Sequence, residues 1–213
     1  MLTTTWSMKG GVGCSVVTAL LAIRLARARP PILLVDTGRD LPVILGLPES
    51  ESPTLADLVR LGVRLDAAAF DEVGQRVVPG LTLVSAGRLG DTSASAVTAL
   101  RAGELECVID GGCVADSGAP GMVFVGAAHS SLLVTRPCYL ALRRSRELPA
   151  RPTGVVVVTE HGRALTAADV EATVGAPVVA SIAADIAIAR AVDAGLLAGR
   201  VPRRVLDAFE GLA

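Results

Sequence analysis

The sequence has few aromatic residues and no long apolar run. Only 2% of its 213 residues are aromatic although 51% are hydrophobic, so a core has to be built from Val, Leu, Ile and Ala. No uninterrupted apolar run approaches the roughly 18 to 20 residues that a membrane-spanning helix needs. Residues 1–6 contain no basic segment followed by an apolar stretch, as a secretory signal would. We therefore expect a cytoplasmic protein.

The sequence also lacks an excess of either charge and any clustering of cysteine. Its formal net charge is −1, which gives no overall attraction to nucleic acid or to anionic lipid. The cysteines have no C-x-x-C spacing and no neighbouring histidine cluster, which argues against a zinc site or a disulfide framework and favours a reducing compartment. They are Cys14, Cys107, Cys113 and Cys138. No Pro/Gly/Ser-rich linker divides the chain, and we predict a single domain over residues 1–213.

Short apolar runs alternate with stretches of helical periodicity. Apolar residues recur with a 3.6-residue period over residues 15–28, and the apolar run ILLVD at Ile32–Asp36 follows. Such a continuous run is typical of a strand buried on both faces. Further strands are predicted at 2–6, 81–85, 106–110, 131–135, 154–159 and 177–181, and further helices at 54–61, 92–102, 137–147, 166–174, 185–196 and 202–212. Strands separated by helices favour an α/β fold with a mostly parallel central sheet and helices on both faces.

The segment SMKGGVGCS, residues 7–15, is the most informative local pattern. Gly10, Gly11 and Gly13 permit positive φ and can expose successive N–H groups as a concave anion site. The start of the following helix adds its positive dipole end. Lys9 is the only lysine among 20 basic residues, and it lies inside this glycine loop. The segment therefore predicts a phosphate-binding loop.

Residues at the ends of two predicted strands complete a candidate nucleotide site. Ligands of open parallel sheets bind beyond the carboxyl ends of the strands, where Asp36 and Asp110 fall beside the glycine loop. Ser15 stands where a hydroxyl would hold Mg²⁺, and Asp110 suits the acid that orients the metal from behind. The predicted nucleotide-binding residues are Lys9, Gly10, Gly11, Val12, Gly13, Cys14, Ser15, Asp36 and Asp110, of which Ser15 and Asp110 form the Mg²⁺ site.

At these residues the chain resembles a known family, the ParA/MinD class of P-loop ATPases with a deviant Walker A motif. Their loop reads K-G-G-x-G-K-[ST], and K-G-G-V-G-C-S matches it except at Cys14. Similar segments are ILLVDTGRDLPVILGLP at 32–48, ECVIDGG at 106–112, SLLVTRPCYLALRRS at 131–145, GVVVVTEHG at 154–162 and APVVASIAADIAIARAVDAG at 176–195. The resemblance implies a three-layer P-loop fold that binds ATP or ADP with Mg²⁺, and a homodimer in which Lys9 reaches the partner's nucleotide. Divergent members of this kind resemble proteins of septum placement and Tad pilus assembly, which implies a positioning or scaffold role with a protein partner.

The chain departs from the family pattern where hydrolysis depends on it. Cys14 replaces the lysine that neutralises the β and γ phosphates, and Gly38 replaces the acid that polarises the attacking water. Thr159 and Ala183 stand where the family has Asn and Pro. Losing one charge-assisted phosphate contact costs roughly 1.5–3 kcal/mol, on the order of ten- to a hundredfold in affinity. Because phosphoryl transfer depends on charge neutralisation and positioning, we expect weak binding with little or no hydrolysis.

Two alternatives remain open from the sequence. One is a slow but genuine ATPase in which Lys9 or an arginine supplies the missing charge. The other is a nucleotide-free interaction module, in which the loop is a relic that only joins a strand to a helix. Cys14 itself could be a redox-sensing thiol whose pKa is lowered at a helix N-terminus, or a small residue that fills the space of the lost lysine.

Two surface patterns also have competing interpretations. A cluster of arginines could contact DNA phosphates, but the net charge and the missing aromatic residues favour a solvated helix face. These arginines are Arg143, Arg144, Arg146 and Arg151. The C-terminal stretch RRVLDAFEGLA could contact a membrane, but we expect its apolar face to pack onto the sheet. That face contains Val205, Leu206, Phe209 and Leu212.

Overall fold

The computed structural model describes residues 1–212, which contain one eight-stranded sheet. Its strands in chain order are β1 (Leu2–Ser7), β2 (Ile32–Asp36), β3 (Gln75–Val78), β4 (Leu81–Ser85), β5 (Glu106–Cys113), β6 (Ser130–Thr135), β7 (Gly154–Thr159) and β8 (Val178–Ala183). Across the sheet they lie in the order β3-β4-β2-β5-β1-β6-β7-β8. Every neighbouring pair is parallel except β3 with β4. The predicted mostly parallel sheet is confirmed.

Helices connect the parallel strands and cover both faces of the sheet. They are α1 (Cys14–Ala28), α2 (Leu41–Leu45), α3 (Leu55–Arg60), α4 (Ala67–Val73), α5 (Ser93–Ala102), α6 (Met122–Ala127), α7 (Tyr139–Arg144), α8 (Ala167–Val174), α9 (Ile186–Asp193) and α10 (Arg203–Asp207). Successive residues of β2 pack on opposite faces of the sheet. Leu34 lies in the core that contains α1, and Leu33 lies in the core that contains α3. The three-layer architecture is therefore confirmed.

Several elements differ from their predicted bounds. The edge strand β3 was not predicted, because QRVV is short, half-buried and contains polar residues. The helices α2, α4 and α6 were also missed, since each is too short to show a clear 3.6-residue period. The helix predicted over 137–147 is shorter, because its N-cap residue Cys138 is extended and the helix ends at Ser145.

The C-terminal segment packs against the core as expected. Val205, Leu206 and Phe209 are buried in the same hydrophobic cluster as α1, and Leu212 packs against that cluster. The segment is a short helix followed by a 3₁₀ turn rather than one continuous helix. Within residues 1–212, no helix is both long and apolar enough to cross a membrane.

Candidate functional site

The glycine loop joins β1 to α1 at the carboxyl edge of the sheet. Gly11 (φ 76°) and Gly13 (φ 96°) adopt the left-handed conformation, whereas Gly10 does not have a positive φ. A Cβ atom at Gly10 or Gly11 would meet no heavy atom within 4 Å, so the rim of the loop is open. The Ser7 hydroxyl donates to the Lys9 carbonyl oxygen over 3.1 Å and fixes the entry to the loop.

The start of α1 leaves its backbone donors without a side-chain cap. Gly13 is the N-cap residue, and the first turn contains no acidic residue. The N–H groups at a helix start have no intrahelical acceptor, and together with the helix dipole they favour an anion. The 15 residues of α1 are largely buried against the sheet, which fixes the position of the helix start. The geometry fits a phosphate group at the loop.

Cys14 is buried and neutral. Its thiol donates to Asp110 Oδ1 over 3.7 Å. Burial, and secondarily the nearby Asp110 carboxylate, raise the pKa of the Cys14 thiol well above its ordinary value. The idea of a redox-sensing thiol with a lowered pKa is therefore wrong, because desolvation outweighs the favourable helix end. Cys14 fills the position of the missing lysine without supplying its charge.

A pair of buried threonines supports the base of the loop, and sequence reasoning missed it. The hydroxyl groups of Thr5 and Thr18 are hydrogen-bonded to each other, and both side chains are buried. Thr18 Oγ1 also donates to the Cys14 carbonyl oxygen over 2.9 Å, one helical turn earlier. The only available clue was that Thr18 follows Cys14 at a spacing of one turn.

Asp110 lies beside the loop with one carboxylate oxygen unsatisfied. It pairs in register with Thr5 of β1. Its Oδ1 accepts from the Gly112 N–H over 3.0 Å and from the Cys14 thiol. Its Oδ2 is buried and has no hydrogen-bond partner among residues 1–212. Burial raises the pKa of Asp110, and the neighbouring Ser15 hydroxyl offsets part of this rise. A buried carboxylate oxygen without a partner, next to a hydroxyl, fits a hydrated Mg²⁺ ion.

Asp36 is the register partner of Asp110 in the adjacent strand, but its carboxylate is fully used. Oδ1 accepts from the N–H groups of Gly38 (2.9 Å) and Arg39 (3.0 Å), and Oδ2 accepts from that of Leu41 (3.2 Å). Burial raises the pKa of Asp36 to about 6 despite these bonds. The predicted site residue is therefore in place at the sheet edge, and its contacts fold the loop between β2 and α2.

An ion-pair network also touches the glycine loop, and the sequence analysis did not identify it. Arg136, directly after β6, donates from Nε to the Val12 carbonyl oxygen over 3.4 Å. The same guanidinium pairs with Glu160, which also pairs with Arg163. Because β6 lies next to β1, a residue just beyond β6 reaches the loop after β1. Ligand sites of open parallel sheets lie beyond the carboxyl ends of the strands, and this rule could have indicated Arg136.

Other predicted residues fall at the same edge. Lys9 is half-buried, and its ammonium group has no hydrogen bond or ion pair within residues 1–212. Thr159 and Ala183 are register partners at the ends of β7 and β8. The arginines near α7 are exposed, which fits a solvated helix face. The structure thus brings the loop residues 9–15 together with Asp110 and Asp36.

The glycine loop lies between the first strand and a long helix, and β1 lies in the middle of the sheet of a three-layer fold. P-loop NTPases have this arrangement. No protein-family model matches the sequence, and no curated protein is similar to it at a significant level. Solved structures are similar in fold, however. The ParA family ATPase from Chlorobium tepidum is 20% identical with a TM-score of 0.75, and the match covers 100% of this chain and 98% of that one.

Two MinD structures extend this comparison. The septum site-determining protein MinD from Pyrococcus horikoshii, complexed with Mg-ADP, is 20% identical with a TM-score of 0.74, covering 100% of this chain and 94% of that one. A MinC:MinD cell division protein complex from Aquifex aeolicus gives 18% identity and a TM-score of 0.71, covering 92% and 86%. The chain therefore has the fold of the ParA/MinD ATPases.

Proposed function

We propose that this chain is a degenerate MinD/ParA-like nucleotide-binding protein of the cytoplasm that acts as a positioning or scaffold component. It binds ATP or ADP with Mg²⁺ weakly, hydrolyses little or none, and works as a homodimer with a protein partner. The observation that carries this proposal is the open glycine loop at the start of α1 beside the unsatisfied Asp110 oxygen, with a neutral thiol at the lysine position.

Nucleotide binding is assigned to the glycine loop together with Ser15 and Asp110. The N–H groups around Gly11 and Gly13 and the uncapped start of α1 would hold phosphate oxygens. The Ser15 hydroxyl would contact Mg²⁺ directly, and Asp110 Oδ2 would orient water bound to it. When bound, Mg²⁺ supplies charge neutralisation of the phosphates. The MinD structure from Pyrococcus horikoshii with Mg-ADP supports this choice of ligand.

Weak turnover follows from what surrounds the loop. The Cys14 thiol stays protonated because burial raises its pKa, so it neutralises no phosphate charge. Gly38 offers no side chain to polarise a water molecule. The oxygens of Asp36 already accept the N–H groups of its own loop, which holds this carboxylate in a structural role. Phosphoryl transfer would lack both charge neutralisation and water positioning.

Dimer formation is supported by exposed apolar side chains at the edge that carries the glycine loop. Val43, Tyr139 and Ile186 are 71%, 75% and 68% exposed. They belong to helices that begin shortly after the carboxyl ends of β2, β6 and β8. Exposed apolar side chains on helices that begin at the same edge of the sheet would be covered by a protein bound to that edge. A second copy facing this edge would cover them and would bring Lys9 close to the opposite loop.

The positioning role and the partner rest on the relatives in fold. The Aquifex aeolicus structure contains MinD together with MinC, a protein partner. Septum placement and Tad pilus assembly are the processes we favour for this chain. DNA is not assigned as a partner, because the net charge is −1 and the exposed arginines near α7 have no aromatic neighbours except Tyr139.

A nucleotide-free interaction module is the second candidate, and the self-contained β2–α2 loop favours it. In that case the exposed apolar edge binds a protein and the glycine loop only connects β1 to α1. A slow ATPase is the third, in which Lys9 or Arg136 supplies the missing charge. These candidates differ in whether nucleotide binds and whether phosphate is released.

The test is a titration of the full chain with ATP, ADP and GTP in the presence of Mg²⁺, following affinity by calorimetry and mass by light scattering. We expect weak binding of adenine nucleotides, a larger mass with ATP, and loss of the mass increase in Lys9→Ala. Lys9→Arg is the matched control, since it keeps the charge. Absent binding together with unchanged mass would support the interaction module, and multi-turnover phosphate release above the Lys9→Ala level would support the ATPase.

A further inference from the structure

A second concave surface lies on the other side of β5 from the glycine loop. It is a cavity of about 360 Å³ between the loops that follow β2, β4 and β5. Its polar lining comes from Thr37, Arg39, Ser85, Arg88 and Ser93. We call it the arginine cavity. The volume falls in the range of small-molecule sites, roughly 300–1,000 Å³.

The sheet register brings the two arginines to this cavity. Asp36 and Ser85, the last residues of β2 and β4, are register partners. Arg39 and Arg88 each follow these strand ends at the same distance along the chain, so two neighbouring loops offer a guanidinium at equivalent places. The carboxyl edge of an open parallel sheet is where such folds bind ligands.

The two arginines of the cavity form no ion pair with an acid within residues 1–212. Neither Arg39 nor Arg88 has a side-chain hydrogen bond or an ion pair within residues 1–212. Asp36 lies nearby, but its oxygens are taken up by backbone N–H groups. Asp91 follows the cavity lining in sequence and pairs with no arginine within that range. The Ser85 hydroxyl accepts from the Gly87 N–H and keeps its own proton available as a donor.

Arg39 adopts a left-handed backbone conformation in the loop that Asp36 organises. Its φ of 69° is the only positive value among non-glycine residues in the described range. Asp36 holds it there by accepting its N–H. Glycine would adopt this conformation without a steric penalty, so Arg39→Gly removes the guanidinium and leaves the loop able to fold.

We infer that the arginine cavity binds a small molecule that carries a dianionic phosphate group. Two guanidinium groups match the charge of a phosphate dianion, and their planar donors suit its oxygens. The Ser85 hydroxyl adds a neutral donor. This site is separate from the nucleotide site of the glycine loop and does not depend on it. Inorganic phosphate and a phosphomonoester share the required chemistry.

The test is calorimetric titration of the full chain with inorganic phosphate, and in a second arm with glycerol 3-phosphate, in phosphate-free buffer at constant ionic strength. We expect Arg39→Gln and Arg88→Gln each to weaken binding about tenfold or more, since each removes a charge-assisted contact. Arg39→Gly is expected to lose binding while the protein stays at least as stable, because the strain is relieved. The two arms distinguish free phosphate from an esterified ligand by which binds more tightly.

Two controls separate this site from others. Arg101→Gln removes an exposed arginine at the far end of α5 and is expected to leave phosphate binding unchanged. Lys9→Ala reports whether phosphate binds at the glycine loop instead of the arginine cavity. The inference is overturned if neither ligand binds, if Lys9→Ala alone abolishes binding, or if Arg101→Gln weakens it as much as the cavity variants do. The first outcome leaves the nucleotide proposal intact, and the second supports it.

Discussion

Asp36 and Asp110 are register partners on the neighbouring strands β2 and β5, yet their carboxylates have different surroundings. Both are buried, and burial raises the pKa of both. Asp36 accepts three backbone N–H groups from the loop that follows it. Asp110 accepts one backbone N–H and a thiol, and its Oδ2 remains without a partner within residues 1–212. One acid completes its own loop, and the other is left available to a ligand.

The same contrast holds for the loops beside these acids. The β2–α2 loop is closed by contacts with Asp36, so its donors are used inside the protein. The glycine loop after β1 has an open rim and an uncapped helix start. The glycine loop therefore leaves its donors open to a ligand, whereas the β2–α2 loop uses its donors within the protein.

The largest expected effect concerns pH. The pKa of Asp36 rises from 3.8 to about 6 on folding, so the native state binds more protons than the unfolded state within that window. The contribution of Asp36 to stability is therefore fully present below the unfolded pKa and is lost as pH rises through about 6. The shift corresponds to roughly 3 kcal/mol.

Urea unfolding of the wild type and of Asp36→Asn at several pH values measures this contribution. The stability of the wild type relative to Asp36→Asn should fall by roughly 2.5 kcal/mol between about pH 4 and about pH 7. Asp110 is present in both proteins, so the difference contains the titration of Asp36 and its coupling to Asp110. A difference that does not change with pH contradicts the raised pKa of Asp36.

Cys14→Lys is expected to strengthen Mg-ATP binding. A lysine there adds a charge-assisted phosphate contact and faces Asp110, so affinity should increase about ten- to a hundredfold. Cys14→Ala is the matched control, and its affinity should stay near that of the wild type because it adds no charge. If Cys14→Lys folds normally and binds no more tightly, Cys14 is not what weakens the site.

Truncating the two acids should separate their structural roles. Asp36→Ala removes the acceptor of three backbone N–H groups, and Asp110→Ala removes that of one. Both remove a buried carboxylate, and they differ in how many backbone N–H groups are left without an acceptor. We expect the free energy of unfolding of Asp36→Ala to be about 2 kcal/mol lower than that of Asp110→Ala in urea unfolding at neutral pH. Equal stability would contradict the structural role of Asp36.

The smallest expected effect is that of Gly38→Asp. A side chain fits at this position, since a Cβ atom would lie 3.9 Å from Asp36 Oδ1. Alone, it should leave multi-turnover phosphate release at the level of Lys9→Ala, because the charge at residue 14 is still missing. Combined with Cys14→Lys, it should raise phosphate release. A rise with Gly38→Asp alone would show that Cys14 does not limit turnover.

Much of the fold was predictable because it depends on local patterns. Continuous apolar runs such as Ile32–Asp36 identified the buried strands, and the glycines and Ser15 identified the loop. The short elements β3, α2, α4 and α6 were not predictable, since a few residues carry too little periodicity. Thr18 and Arg136 were missed because their roles arise from neighbours in space.

The sequence by itself determined the alternation of strands and helices, the glycine loop and the absence of a lysine at residue 14. These features depend on residues that are neighbours in the chain, so residue types and hydrophobic periodicity identify them directly. Only the tertiary structure decided which acid is satisfied, which thiol pKa is raised, and that Arg39 and Arg88 line one cavity. Those outcomes depend on strand register and burial, which bring together residues far apart in the chain.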